Sequence, residues 1–401
     1  MYPSPFNEVY GIFVHEQAKA LIKKGCDVRV VSPVPWSGFP LNKLSSKWSG
    51  YSNIPSERIF EGVQVYYPRY LALPKSASFE SSGLRMYHGI KKTIDKIHEI
   101  FQFDIIHAHV ALPDGYAAIK LATKYQIPVI TTVHGADLYL TAEINSKCKQ
   151  KVASVFSRSN KTVFVSKKLE QIAKEKTISN VESIVIGNGV SFEKQGTTKH
   201  RTTTTENKPP TIFSASYLIT RKAIRYNLLA LAEVLKKHNN VIYKIAGDGP
   251  EQENLRKLVN DLGIHKQVQF LGMLSHQETI EQMFAADIFS LPSWDEAFGV
   301  VYIEAMAEGK PVIACKGEGI EDVITHGKTG LLVKPKDVES LTDAFDFLLS
   351  NPDKAISIGE RAKKLVLDNF TWEKNAEKTV KAYEEVLSTH MVYNRNMEEQ
   401  N

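Results

Sequence analysis

Cysteine is scarce: Cys26, Cys148 and Cys315 are the only three in 401 residues, with no C-x-x-C spacing. That excludes a disulfide framework and fits a reducing compartment. No apolar run approaches the roughly 18 residues of a membrane-spanning helix. The opening Met1-Tyr-Pro-Ser-Pro-Phe-Asn7 lacks the hydrophobic core of a signal peptide, so the expected location is the cytoplasm. Asp-x-Asp does not occur, and no His/Cys spacing suits zinc, so neither a metal nor a cofactor is expected. The charge excess is small as well. A net +5 is too mild to argue for nucleic acid, although it is compatible with an anionic membrane surface.

What is present is a strand–helix rhythm that runs twice. In the first half, Ile12, Ala18, Leu21 and Ile22 put an amphipathic helix over 11–24, closed by Gly25. Strands are expected over 27–33, 63–70, 104–109, 128–134, 161–166 and 181–186, with helices over 79–100 and 114–125. Residues 34–58 read as one long loop carrying Trp36, Phe39, Leu41, Trp48 and Tyr51 among Lys43 and Lys47. Loops of that length are usually functional or disordered. Residues 193–210 are polar and threonine-rich, and read as a linker. The rhythm restarts with strands over 211–216, 241–246, 268–272, 288–292 and 311–315. The expected organisation is a first domain over 1–192, the linker, a second domain over 211–369, a final helix over 370–389 and a frayed tail over 390–401. Alternation of this kind implies α/β domains with parallel sheets and ligands at the carboxyl ends of the strands.

One stretch carries chemistry, Glu296-Ala-Phe-Gly-Val-Val-Tyr-Ile-Glu304. The segment from Gly299 reads as helix, which leaves the N–H groups of Phe298, Gly299 and Val300 at its mouth without helical partners. Those donors and the helix dipole form an anion site, and Gly299 lets a ligand approach the backbone. Glu304, further along, can accept two hydroxyl hydrogen bonds, as from a ribose diol. An acidic cap followed by one exposed glutamate would give the same spacing.

The surrounding Ser293 to Val333, with Glu304-Ala-Met-Ala-Glu-Gly-Lys-Pro-Val312 and Gly327-Lys-Thr-Gly-Leu-Leu-Val333, resembles the C-terminal half of the retaining glycosyltransferases of family four. The resemblance extends over nearly the whole chain. It implies the GT-B fold, two Rossmann-like doubly wound domains facing a cleft. It also implies that Glu296 holds the hydroxyls of the donor sugar, Glu304 the ribose, and the Phe298–Gly299 amides the sugar and diphosphate. By the same resemblance Gly11 opens a phosphate loop and His134 reaches the transferred sugar. His109 is a second candidate for the cleft, and Lys222 neutralises the diphosphate. In Ser214-Ala-Ser-Tyr-Leu-Ile-Thr-Arg-Lys-Ala223 the family's Gly, Arg and Gly positions hold Ser216, Tyr217 and Ala223. A tyrosine cannot replace the charge of that arginine. Arg221 is expected to point away from Lys222 if both lie on a strand. Gly247-Asp-Gly-Pro250 resembles the nucleotide-side loop, but is too short for a dinucleotide fingerprint.

The resemblance therefore implies a metal-independent, retaining hexosyltransferase. It would move a sugar from a nucleotide-diphospho donor to a glycan or lipid-linked acceptor. The segments Val9-Tyr-Gly-Ile-Phe-Val-His-Glu-Gln17, Asp104-Ile-Ile-His-Ala-His109 and Pro113-Asp-Gly115 look most like bacterial enzymes of cell-surface polysaccharide assembly, including the teichuronic-acid type. The alternatives are a nucleotide-sugar epimerase on the same fold and a non-catalytic sugar-nucleotide-binding subunit. Two further expectations concern the first domain. Its central first strand is missing, since the chain opens at the Tyr-Pro turn, and a version begun upstream is expected to be more soluble. Trp36 and Trp48, with the neighbouring lysines, are expected to meet a lipid-linked acceptor peripherally at the inner membrane face.

Overall fold

A computed structural model describes residues 1–36, 43, 46–73, 78–176, 181–191 and 208–398. The chain forms two compact units, one of residues 1–189 with 372–401, the other of residues 190–371. Among the described residues no helix is long and apolar enough to cross a membrane.

The first unit begins with α1 (Ile12–Lys23), β1 (Arg29–Val31) and β2 (Val34–Pro35). There follow α2 (Ser46–Ser52), β3 (Glu57–Phe60), β4 (Val63–Tyr66), β5 (Arg69–Tyr70) and α3 (Ser82–Ile100). Then come β6 (Ile106–His109), α4 (Tyr116–Tyr125), β7 (Val129–Val133), α5 (Ser146–Arg158), β8 (Lys161–Phe164), α6 (Lys167–Lys176) and β9 (Ser183–Val185). The sheet is in two main pieces. One runs β1-β4-β3 and the other β6-β7-β8-β9, all parallel except the β3–β4 hairpin. Among the described residues β2 pairs only with β5.

The stretch 34–58 is thus not a single loop. It holds β2, α2 and the start of β3, because Ile54 and Tyr51 bury against Val63, Val65 and Tyr67 and draw the chain into the core. Of its aromatic and apolar residues, Phe39 and Leu41 lie outside the described residues.

The second unit contains β10 (Thr211–Ala215), α7 (Ile224–Val234), β11 (Ile242–Ala246), α8 (Gln252–Asp261), β12 (Val268–Gly272) and α9 (His276–Ala285). It continues with β13 (Ile288–Ser290), α10 (Val300–Ala307), β14 (Val312–Cys315), β15 (Leu331–Val333), α11 (Val338–Ser350) and α12 (Pro352–Asn369). Its six strands form one parallel sheet in the order β12-β11-β10-β13-β14-β15. β13 and β14 are buried at every residue, as a parallel sheet covered on both faces requires.

The last helix, α13 (Trp372–Glu398), returns to the first unit and extends beyond Thr389. Trp372 and Ala376 pack on Ala20 and Leu21 of α1, while Ala382 and Val386 pack near Ile130 and Val163. Burying the leucine, isoleucine and valine side chains among these contributes about 1.5–3 kcal/mol each. Gln17 donates to Asn375 at 2.7 Å inside this interface, satisfying a buried amide.

Candidate active site

In the second unit, β13 delivers the chain to Ser293, and a tight loop through Asp295 (φ 54°) leads to α10. Glu296 sits in that loop, 9% exposed. Four contacts hold it. Lys222 Nζ donates to its Oε2 at 2.5 Å and Ser293 Oγ donates to the same oxygen at 3.2 Å. Its own N–H donates to Glu318 Oε2 at 2.7 Å, and its carbonyl accepts from the Gly319 N–H at 3.1 Å. Behind it, Tyr302 OH bonds Ser293 Oγ and donates to the Leu291 carbonyl, both at 2.6 Å. Burial, and after it the Glu296 charge, pushes the Tyr302 phenol well above its usual range, so it acts as a neutral strut.

Gly299 caps α10 with φ 81°, and among the described residues no side-chain cap bonds to the helix mouth. A Cβ there would stand 2.3 Å from the Tyr302 ring, so only glycine fits. The first turn of α10 carries no acidic residue, which leaves its N–H groups and dipole available to an external anion. The Phe298 side chain is buried against Phe370, so only its amide can serve a ligand. Val300 opens the helix, and Glu304 stands one turn further on, accepting from or pairing with His276 Nε2 at 2.9 Å.

Lys222 lies on a 3-10 turn, Thr220–Lys222, rather than on a strand. The expected opposition of Arg221 and Lys222 is therefore wrong. Tight turning lets both reach the same loop, with Arg221 Nη1 donating to the Asp295 carbonyl at 3.2 Å and Trp294 N–H donating back to the Arg221 carbonyl at 3.0 Å. Tyr217, 61% exposed, stands where the family carries arginine. Ala223, at φ 61°, begins α7 in the left-handed region that the family's glycine occupies at no cost. The Gly247–Pro250 turn is knitted to this loop, with Leu218 N–H donating to the Asp248 carbonyl at 2.8 Å.

The first unit assembles a different cluster. Gly11, at φ 75°, opens α1, and a Cβ there would meet the Tyr2 nitrogen at 2.8 Å. His109 and His134, at the carboxyl ends of β6 and β7, join through Nδ1 and Nε2 at 2.9 Å with rings stacked at 5.2 Å. Phe13 of α1 covers His134 at 4.8 Å. His107 extends the row, bonding Thr132 Oγ1 at 2.7 Å and Tyr383 OH of α13 at 2.6 Å. Burial lowers His134 to about 3 and His107 to about 4, so these imidazoles are neutral near pH 7. Asp137 accepts from the N–H groups of Ala111 and His134, and burial raises its carboxyl to about 6. Trp36 is 47% exposed at the end of β2, whereas Trp48 is half-buried on α2 with its ring 6.2 Å from Tyr51.

Ser293, Tyr302, Glu318, His276, His107 and Asp137 were not legible as site residues. Glu318 lies 22 positions beyond the backbone it accepts from, and His276 lies 28 before its glutamate, so no local spacing connects them. Among the described residues one group, His15, Glu16 and Glu61, brings three potential metal-ligand atoms within 4.8 Å. Lys19 already pairs with Glu61 there at 2.7 Å.

Comparison with known proteins agrees with this architecture. The family described as Glycosyltransferase Family 4 matches residues 11–194, and Glycosyl transferases group 1 matches residues 195–365. TuaC of Bacillus subtilis (strain 168), a glycosyltransferase named provisionally for teichuronic acid biosynthesis, is 27% identical over 395 residues, covering 97% of each chain. The uncharacterized glycosyltransferase MJ1607 of Methanocaldococcus jannaschii is 26% identical over 392 residues, covering 94% of each. Among solved structures, sucrose-phosphate synthase of Thermosynechococcus elongatus superposes with a TM-score of 0.76 at 20% identity, covering 94% of this chain and 93% of that one. Anabaena HepE in complex with UDP and glucose superposes with a TM-score of 0.68 at 18% identity, covering 93% and 95%. With both halves matched in order and the two-unit fold shared, the chain belongs to the family-four glycosyltransferases of the GT-B fold.

Proposed function

We propose that this glycosyltransferase transfers a hexose with retention of configuration. The donor is a nucleotide-diphospho sugar, the acceptor a lipid-linked glycan of a cell-surface polysaccharide, and no metal takes part. The observation that carries the reading is the Lys222–Glu296 pair at 2.5 Å, set beside the uncapped N-terminus of α10. An anion of two phosphates needs positive charge that does not have to be recruited. Lys222 has three N–H donors and uses one on Glu296, so the others can meet phosphate oxygens. The α10 amides supply the remaining neutralisation.

In the proposed step the bond between the anomeric carbon and the phosphate oxygen breaks. The acceptor hydroxyl forms its new bond from the same face, and its proton passes to the departing phosphate oxygen. Glu296, its carboxylate oriented by Ser293 and its backbone by Glu318, positions the sugar hydroxyls. Glu304 takes the ribose, exchanging its His276 contact for the diol. HepE, whose structures are described with UDP, glucose and UDP-glucose, supports a uridine donor. TuaC supports a cell-envelope acceptor.

Membrane contact is proposed for the exposed edge of the first unit, at the inner face of the membrane. Trp36 there lies beside Leu71, since Pro35 pairs with Tyr70. Arg85 donates to the Leu71 carbonyl at 3.1 Å, and Lys92 and Lys96 of the same helix are exposed. Aromatic and basic groups side by side suit an anionic interface.

The test supplies UDP- and GDP-hexoses with and without polyprenyl-diphosphate glycan acceptors and follows nucleotide release and product anomer. Acceptor-dependent release with a retained anomer is expected. Release without acceptor would favour an epimerase. Tight donor binding with no release would favour a binding subunit, the reading that exposed Tyr217 supports.

A further inference from the structure

Two cations flank the loop that carries Glu296, and Trp294 sets both. The Trp294 N–H donates to the Arg221 carbonyl at 3.0 Å, and Arg221 Nη1 donates in turn to the Asp295 carbonyl at 3.2 Å. Lys336 Nζ stands over the Trp294 ring, 4.7 Å from its centroid, while the Tyr226 ring packs on it edge-on at 5.9 Å. Lys336 sits at φ 60° in the turn between β15 and α11. Both cations are exposed, and among the described residues neither meets a carboxylate. Exposed lysines elsewhere, such as Lys24, Lys124 and Lys176, do. Two carboxyls belong to the same loop. Glu296 is taken by Lys222, and Asp295 is exposed, so three cations face two carboxylates and one positive charge is left unbalanced.

These contacts hold the cations without neutralising them. An ammonium over an indole face is attracted by the ring quadrupole and keeps its charge. Arg221 uses one of its five N–H donors on a carbonyl and keeps four. Cations placed in advance lose little side-chain freedom when an anion arrives. They favour carboxylate or phosphate oxygens over a neutral hydroxyl, and the guanidinium can meet either in a two-pronged contact. The position of the cluster limits what carries that anion. Trp294 and Asp295 immediately precede Glu296, which is assigned to the hydroxyls of the sugar, whereas the donor diphosphate is assigned to Lys222 and the α10 mouth.

We propose that Arg221 and Lys336, set by Trp294, form a subsite for the anionic group of an acidic saccharide bound beside Glu296. This rests on the assignment of Glu296 to sugar binding and adds the class of sugar. Trp294 is a positioning residue, and the two cations make the contact.

The test compares UDP-glucuronate with UDP-glucose as donors, which differ by a carboxylate in place of a hydroxymethyl group. A second arm keeps UDP-glucose and compares polyprenyl-diphosphate glycans ending in glucuronate or in glucose as acceptors. The full chain is used, kcat/KM is read for each pair, and the rise in Tm is read for the two donors. The wild-type chain should favour the acidic member by about tenfold in one arm, and that arm identifies the substrate carrying the anion. Lys336→Gln and Arg221→Gln should each lower the acidic-to-neutral ratio about threefold, and the double variant should bring it to about one. Trp294→Leu should act like Lys336→Gln, because it releases the ammonium. Asp295→Asn should raise the ratio about twofold, since asparagine tolerates the left-handed backbone and removes the opposing charge. Salt raised from about 50 to about 500 mM should erase the wild-type preference and leave the double variant as it was.

The ratio isolates charge recognition, since a damaged fold or a weakened diphosphate contact lowers both members alike. Equal use of the two members in both arms, or a preference that survives in the double variant, would overturn the inference and leave the transferase standing. A Tm difference between the donors that the double variant abolishes, without turnover, would support the subsite and count against the transfer reaction. No Tm rise and no turnover with either donor would overturn the donor assignment and the inference together.

Discussion

The two units follow the same strand–helix rhythm and arrive at different sheets. The second has six parallel strands in one sheet, with the Lys222–Glu296 pair set where β13 feeds α10. The first has its sheet in two main pieces among the described residues, and its cluster is a row of half-buried imidazoles that desolvation keeps neutral. Local patterning makes strands, but which strands pair is settled by packing between segments distant in the chain. The difference extends to chemistry. The second unit holds a fixed Lys222–Glu296 charge pair, and the first holds uncharged hydrogen-bonding imidazoles.

That division of labour can be broken most directly at Glu296. Glu296→Gln should lower kcat by on the order of 100-fold or more with little change in donor affinity, because the contact is proposed at the reacting sugar. Steady-state kinetics check it, and a change confined to KM would refute the assignment.

Acid should damage the first unit. Burial lowers His107 to about 4, His134 to about 3 and His109 well below its usual value, against about 6.5 in an unfolded chain. Their contribution is fully present above pH 6.5 and is lost as pH falls, because the unfolded chain then binds protons that the folded one does not. Asp137, raised to about 6, and Asp114, also raised, act oppositely. Their contribution is present below about pH 4 and lost as pH rises through the folded value. Three histidines outweigh two carboxyls, so stability should fall by about 1 kcal/mol per pH unit between pH 6.5 and 5. Urea melts at the two pH values decide it, and equal midpoints would refute the neutral-histidine description.

Glu304→Gln should raise donor KM about tenfold while sparing kcat, since ribose binding is common to ground and transition states. The same kinetics would show the reverse split if the two carboxylates are misassigned. Trp36→Ser should weaken sedimentation with anionic vesicles about fivefold, without changing the fold or donor binding. Unaltered sedimentation would remove the membrane edge from the first unit. Ala223→Gly should be the mildest change, stabilising the second unit by about 0.5–1 kcal/mol, because it relieves a left-handed alanine. Chemical denaturation measures it.

Much of this was legible in the amino-acid order. The strand rhythm located most sheet elements to within a few residues, since alternating apolar runs and glycine or proline breaks are local signals. Gly299 and the glutamates around it stood out because a helix mouth and a one-turn offset are also local. β3 was not legible, because its Glu57-Arg-Ile-Phe60 carries charged residues and is held only by pairing with β4. The turn at Thr220–Lys222 was misread for a similar reason. Its sequence is compatible with extension, and the bonds from Trp294 and to Asp295 belong to a loop some 70 residues away.

The sequence by itself determined the family, the two-unit α/β plan and which residues carry charge near α10. These depend on periodicity and on motifs a few residues long. Only the tertiary structure decided that Glu318 fixes the Glu296 backbone and that three histidines stack and lose their charge. Each of these joins segments distant in the chain, and each depends on burial, which sets the strength of a charge or an unpaired N–H and has no local spacing to announce it.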